Sequence, residues 1–187
     1  MTMVNIAGED SSSSLSNIVS EDVQPNACDL RIGKVFAIKD TSGFSYPVSS
    51  NRFVLSADNR TKIMRPTTTI HPERLDEFEG KSFFILPSGI YEVIMQNEIL
   101  VGHDEAGFVI TRSTLNRNGV FLTSGLYDSG YDGIMAAVMH VNCGPAYIEE
   151  GARIGQYLSW KSLAIGKYDG SYGKGKQADK IRYSIEE

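Results

Sequence analysis

The run from Gly133 to Val141, GIMAAVMHV, constrains the fold of this chain more than any other segment. It is continuously apolar, far shorter than a membrane span, and reads as a strand covered on both faces. Short strands separated by turns surround it. In CDLRIGKVFAI the apolar positions Leu30, Ile32, Val35 and Ala37 recur around a bend at Gly33. SFFILPSGIYEVIM reads as two strands about the turn Pro87-Ser88-Gly89, and ARIGQYLSW as another after the turn at Glu150-Gly151. HPERLDEFEG is the best helical segment, with Pro72 to open it and Gly80 to close it. The pattern predicts an all-β barrel or sandwich with one or two short helices.

A chain of 187 residues suits one domain. Residues 1–22, with the run Ser11 to Ser14, are expected as a flexible arm, residues 23–165 as the β domain, and residues 166–187 as a glycine-rich tail. Within that tail, YDGSYGKGKQ is either disordered or a flap, because glycine lets backbone N–H groups approach a phosphate chain. The net charge of −5 disfavours nucleic acid as a partner and leaves room for a local basic pocket. No signal peptide and no membrane segment are read, so a reduced cytoplasmic compartment is expected. Cys28 and Cys143 match no zinc ribbon and are expected as small buried hydrophobes. His71, His103 and His140 are isolated, with neither motif of a zinc deaminase beside them, and no metal-ligand set is read.

Thr111 to Asn142 carries the chemistry. Arg112 and Ser113, followed by Thr114, Asn116 and Arg117, offer several directed donors to phosphate oxygens. In SGLYDSGYDG, Asp128 stands three residues before Tyr131 between glycines, and suits orienting a water or holding a sugar hydroxyl. Taken singly, these residues read as polar turns with an Arg112–Asp128 salt bridge.

Taken together, they resemble the dUTPase and dCTP deaminase superfamily. QPNACDLRIGKVF (24–36) resembles its opening motif, FILPSGIYEV the strand–turn–strand before the phosphate motif, and TRSTLNRNG (111–119) the arginine-serine signature of the deaminase branch. LTSGLYDSGYDG (122–133) resembles the nucleoside-binding hairpin with dUTPase-branch spacing, GARIGQYLSW the fourth motif, and SYGKGKQ the closing tail. The resemblance implies a dUTPase-like β-barrel or jelly roll (β-clip type), assembled as a homotrimer with sites shared between subunits. By the same resemblance, Arg112 and Ser113 would bind phosphates, with Thr114 and Arg117 adding contacts. Ser124, Gly125 and Leu126 would present backbone groups to the pyrimidine edge. Asp128 would hold the catalytic water and Tyr131 would pack under the deoxyribose. Gln156 would reach the phosphates from a neighbouring subunit, and Tyr168, Lys174 and Gln177 would belong to the closing tail.

Hydrolysis at an α-phosphorus needs a positioned water, charge stabilisation, and Mg²⁺ carried mainly by the phosphates. Asp128 and Arg112 suit the first two needs. In the resemblance, deaminases carry a glutamate three residues before the asparagine that ends the GIMAAVMHVN strand. The matching residue here is Met139, which cannot move a proton. His140 is its neighbour and points to the opposite face. The expected reaction is therefore pyrophosphate release from a deoxynucleoside triphosphate, dUTP to dUMP by the dUTPase-branch spacing of the hairpin, with dCTP or a modified pyrimidine nucleotide as the alternative substrate. Alternatives are a dCTP deaminase, or a bifunctional enzyme, with another acid–base residue, and a noncatalytic nucleotide-binding regulator. Tyr127, where an aliphatic residue is usual, is expected to reshape the pocket. Asp29 reads as a structural partner of an arginine or a backbone group, and Trp160 as a core or contact residue.

Overall fold

The computed structural model describes residues 2–38, 54–57, 62–63, 67–176 and 178–179. Eight strands carry the architecture: β1 (Ala27–Ile38), β2 (Lys81–Leu86), β3 (Gly89–Leu100), β4 (Glu105–Thr111), β5 (Val120–Thr123), β6 (Asp132–Val141), β7 (Ala146–Glu149) and β8 (Arg153–Lys161). One short helix, α1 (Ser113–Arg117), links β4 to β5. Every ladder is antiparallel, and the main sheet runs β8–β1–β3–β6–β5, with β4 on the other edge of β8.

The sheet curls until β4 meets the segment after β5, which closes it as a barrel. Side chains and backbone share that seam. The Thr111 hydroxyl accepts from the N–H of Leu122 at 2.6 Å, the Ser124 hydroxyl accepts from the N–H of Val109 at 2.9 Å, and Gly107 and Tyr127 exchange backbone bonds at 3.1 and 2.7 Å. Closure leaves no row of β4 backbone groups unpaired, which is the usual hazard of a sheet edge. Gly107 permits the close approach, because a Cβ there would stand 2.4 Å from the Tyr157 ring.

Alternation fills the interior. Leu30, Ile32, Val93, Met135, Met139, Ile154 and Tyr157 are at most 1% exposed and lie in one core cluster. β6 departs from the expected double-sided burial. Its odd positions, Met135, Ala137, Met139 and Val141, enter the core, while Ile134, Ala136, Val138 and His140 on the other face are half-buried. Gly33 is the expected bend: the β1–β3 register slips beside it, between Ile94 and Met95, and a Cβ there would sit 3.0 Å from the Ile94 carbonyl.

Further expectations are met in part. In HPERLDEFEG, Glu73–Leu75 is drawn into a strand against β2, and Asp76–Phe78 alone turns as a 3-10 helix. Strands β2 and β3 flank the turn at Pro87-Ser88 but join separate sheets, β2 lying between β7 and Glu73–Leu75. Cys28 is buried as expected, while Cys143 is exposed because it follows the end of β6. The N-terminal residues expected as an arm lie against the barrel. Met3–Val4 pairs with Ser159 and Trp160 of β8, and Ser14–Leu15 pairs with Ile99 and Leu100 of β3.

Candidate active site

Two groups of predicted site residues form, at opposite ends of β4. The first gathers around Asp29, which β1 places wholly inside the protein. Gln156 donates to its Oδ1 at 3.0 Å, Arg112 Nε lies 3.4 Å from Oδ1, and Arg153 Nη1 lies 3.4 Å from Oδ2. A buried carboxylate needs such partners, and in return it fixes the direction of the two guanidinium groups. Asp29 is thus the structural partner expected, and Arg112 pairs with it rather than with Asp128. Arg112 precedes α1, so Ser113 and Thr114 stand in its first turn, exposed, where backbone N–H groups have no helical partner. Arg117 ends the same helix, also exposed. One chain therefore brings Arg112 and Gln156 together on Asp29, with Ser113 and Thr114 following Arg112 in α1.

The second group is the hairpin between β5 and β6. Thr123 and Val138 make the last ladder pair, and beyond them the arms separate. A cavity of about 280 Å³ opens between and above the arms, lined by Ser124, Gly125, Leu126, Tyr131 and Ala136 among others. Tyr131 is 7% exposed and its hydroxyl donates to the Ile134 carbonyl at 2.8 Å. Burial, with smaller contributions from Tyr127, Asp179, Tyr168 and Asp132, raises its phenol pKa, so it is a neutral donor.

Asp128 lies outside this cavity. With Ser129 and Lys167 it lines a neighbouring one of about 510 Å³ that reaches Trp160. Tyr127 stands opposite Gly107 and the Ser129 hydroxyl donates to the Glu105 carbonyl at 2.6 Å, so Asp128 falls beside Ala106. Arg112 is six residues farther along the extended strand, roughly 20 Å at about 3.3 Å per residue. That exceeds the combined reach of an arginine and an aspartate. The Arg112 group and Asp128 of a single chain do not meet.

The tail folds back on the hairpin of its own chain. Tyr168 N–H donates to the Ser129 carbonyl at 2.8 Å, Lys174 N–H to the Asp132 carbonyl at 2.7 Å, and the Tyr168 ring packs edge-on against Tyr131 at 5.2 Å. Tyr168 and Tyr172 line the hairpin cavity. The Lys174 side chain is exposed, and Gln177 lies outside the described residues.

Sequence reasoning missed Val138, Glu92 and Asp179. Met139 is wholly buried on the core face of β6, and its neighbour Val138 meets the cavity. Both are apolar, so this position of β6 brings no proton carrier. The cross-strand partner of Val138 is Glu92 on β3, 9% exposed, and it lines the cavity. The only sequence signal was one acid inside the apolar run GIYEVIM. Asp179 also reaches the cavity; its pKa is raised by burial and by Glu92, against a hydrogen bond from Gly173 N–H.

The sequence profile of the dCTP deaminase-like family matches residues 6–161. The chain belongs to that family. Among relatives, it is 28% identical over 153 residues to a probable deoxyuridine 5'-triphosphate nucleotidohydrolase of Methanopyrus kandleri, covering 81% of this chain and 87% of that one. It is 27% identical over 168 residues to the deoxyuridine 5'-triphosphate nucleotidohydrolase of Methanocaldococcus jannaschii, covering 89% and 97%. The 2'-deoxycytidine 5'-triphosphate deaminase of Agrobacterium tumefaciens superposes with a TM-score of 0.54 at 17% identity, over 81% of this chain and 44% of that one. That likeness concerns the fold. The dCTP deaminase-like chain places its hairpin, arginine-serine turn and tail around the barrel as described above. No helix among the described residues is long and apolar enough to cross a membrane.

Proposed function

We propose that this protein hydrolyses dUTP to dUMP and pyrophosphate at a site completed by two copies of the chain. The separation of Arg112 from Asp128 along β4 carries the shared-site reading, and the archaeal relatives named as deoxyuridine triphosphate nucleotidohydrolases support the reaction. One copy supplies the hairpin, with the base against Ser124, Gly125 and Leu126, the sugar over Tyr131, and Asp128 at the water. The neighbouring copy supplies Arg112, Ser113, Thr114, Arg117 and Gln156 to the phosphates, an arrangement that a homotrimer provides by symmetry. The Tyr168–Gln177 segment closes over the phosphate chain. Asp128 orients the water and takes its proton as oxygen attacks the α-phosphorus, and Arg112 answers the charge that gathers on the departing pyrophosphate. Magnesium enters with the nucleotide. Phosphate oxygens would be its main ligands, as suits an ion that keeps several of its waters. A reduced cytoplasmic compartment belongs to the same reading.

Glu92 favours a second reading. A buried carboxylate beside the base pocket suits the proton transfers of cytosine deamination, in which water replaces the C4 amino group and ammonia leaves. The deciding experiment incubates the protein with Mg²⁺ and dUTP, dCTP, dTTP or UTP, and resolves nucleotides, pyrophosphate and ammonia. Release of dUMP and pyrophosphate from dUTP supports hydrolysis; ammonia from dCTP supports the second reading. Binding without any product leaves the regulator. A mixed assembly of Arg112→Ala and Asp128→Asn chains tests the shared site. Activity returning in the mixture is expected, and two inactive variants that stay inactive together refute it.

A further inference from the structure

The two arms of the hairpin face the cavity in different chemical states. On the β6 side, tyrosine hydroxyls hold the polar groups. Tyr127 donates to the Ala136 carbonyl at 2.9 Å and accepts from the Ala136 N–H at 3.0 Å, while Tyr131 holds the Ile134 carbonyl at 2.8 Å. Tyr127 is fixed in that position, 8% exposed and packed edge-on against Tyr131 at 5.4 Å and Tyr157 at 5.9 Å. On the other arm, the N–H groups of Gly125 and Leu126 make no hydrogen bond among the described residues. The Gly125 carbonyl already accepts from the Ser124 hydroxyl at 2.8 Å, and a side chain at Gly125 would meet nothing within 4 Å. This arm offers donors and open space.

We propose that Tyr127 determines base specificity: its hydroxyl withholds the Ala136 donor–acceptor pair, so a pyrimidine is read by the Gly125–Leu126 arm alone, through carbonyl oxygens. The proposal rests on the nucleotide-pocket reading above and adds how the base is chosen. A backbone N–H beside a C=O distinguishes uracil from cytosine, because the two bases present donor and acceptor in opposite order along the N3–C4 edge. With Ala136 occupied, that edge goes unread on the β6 side. The free N–H groups accept any base that carries a ring carbonyl. The pocket is thus a reader of pyrimidine carbonyls with muted uracil–cytosine discrimination.

Removing the hydroxyl returns the Ala136 pair to the base. One well-made bidentate contact corresponds to about tenfold to hundredfold discrimination. The test is calorimetric binding of α,β-imido-dUTP and α,β-imido-dCTP, with Mg²⁺, to wild type and Tyr127→Phe. The affinity ratio between the two analogues is expected to change by about tenfold or more in the variant; a smaller change overturns the proposal. Amide exchange in the wild type gives a second reading that needs no variant. Analogue binding is expected to slow exchange at Gly125 and Leu126 and leave Ala136 unchanged, and new protection at Ala136 overturns the proposal. If neither analogue binds the wild type, the nucleotide-pocket reading itself falls, an outcome distinct from binding with an unshifted ratio.

Discussion

Glu105→Gln removes a charge that the fold has closed around completely. Glu105 is 0% exposed and accepts from the N–H of Ser12 at 2.8 Å, from Ser11 Oγ at 2.9 Å, from Lys161 Nζ at 2.9 Å, and from Ser13 Oγ. Burial works to raise its pKa, but the bonds from Ser13, Lys161, Ser12 and Ser11 outweigh it and hold the carboxyl at about 2, against an ordinary 4.5. A lowered folded-state pKa means stability that is fully present above the unfolded value. It drains as pH falls from about 4.5 to about 2, because the unfolded chain takes up the proton first. The gap corresponds to roughly 3 kcal/mol at about pH 7. Glutamine forfeits this and also turns an amide donor toward groups that need acceptors. Urea midpoints for both proteins, taken from about pH 7 down to about pH 2.5, check the reasoning. The wild-type advantage should narrow by roughly 2–3 kcal/mol over that interval. An advantage that stays constant with pH refutes the charge as its source.

Asp128→Asn should abolish turnover while the affinity for a non-hydrolysable nucleotide stays within about threefold of wild type; single-turnover kinetics and calorimetry check both halves. Asp29→Ala strands Arg112 and Arg153, and should cost about 3 kcal/mol, since both arginines are part-exposed. Its signature beyond stability is weakened pyrophosphate binding, read by calorimetry at a temperature where the variant is folded. Gly107→Ala drives a methyl into Tyr157 and the Leu158 carbonyl at 2.4–2.5 Å, so its melting temperature should fall by several degrees in a calorimetric scan. The Tyr157 hydroxyl is buried with no hydrogen-bond partner among the described residues. Tyr157→Phe should therefore be neutral or up to about 1 kcal/mol more stable, measured by urea unfolding.

Much of the fold was legible because strand periodicity is local. The alternation in CDLRIGKVFAI and the turn at Glu150-Gly151 announce β1 and β8 without reference to any partner. HPERLDEFEG misleads because residues Glu73–Leu75 gain more from pairing with β2 than from a helical turn, and partners six to ten residues away leave no local mark. The site was legible as residue types and illegible as distances. Arg112 and Asp128 are 16 residues apart in sequence, yet β4 runs between their positions like a spacer, and only the closed barrel reveals it. Glu92 was hidden for a related reason: its importance comes from Val138 across the ladder. Ser11 to Ser13 read as low-complexity linker, and became ligands of a buried carboxylate only once Glu105 was in place.

The tail is fastened to its hairpin by main-chain donors, Tyr168 N–H to the Ser129 carbonyl and Lys174 N–H to the Asp132 carbonyl. Every non-proline residue owns such a donor. The clasp therefore reads the count of residues between its two anchor points, and the letters matter most at Gly173, whose φ of +115° and approach to the Asp132 carbonyl leave no room for a side chain. A tail of this design tolerates insertion poorly: one added residue would present the wrong N–H to Asp132.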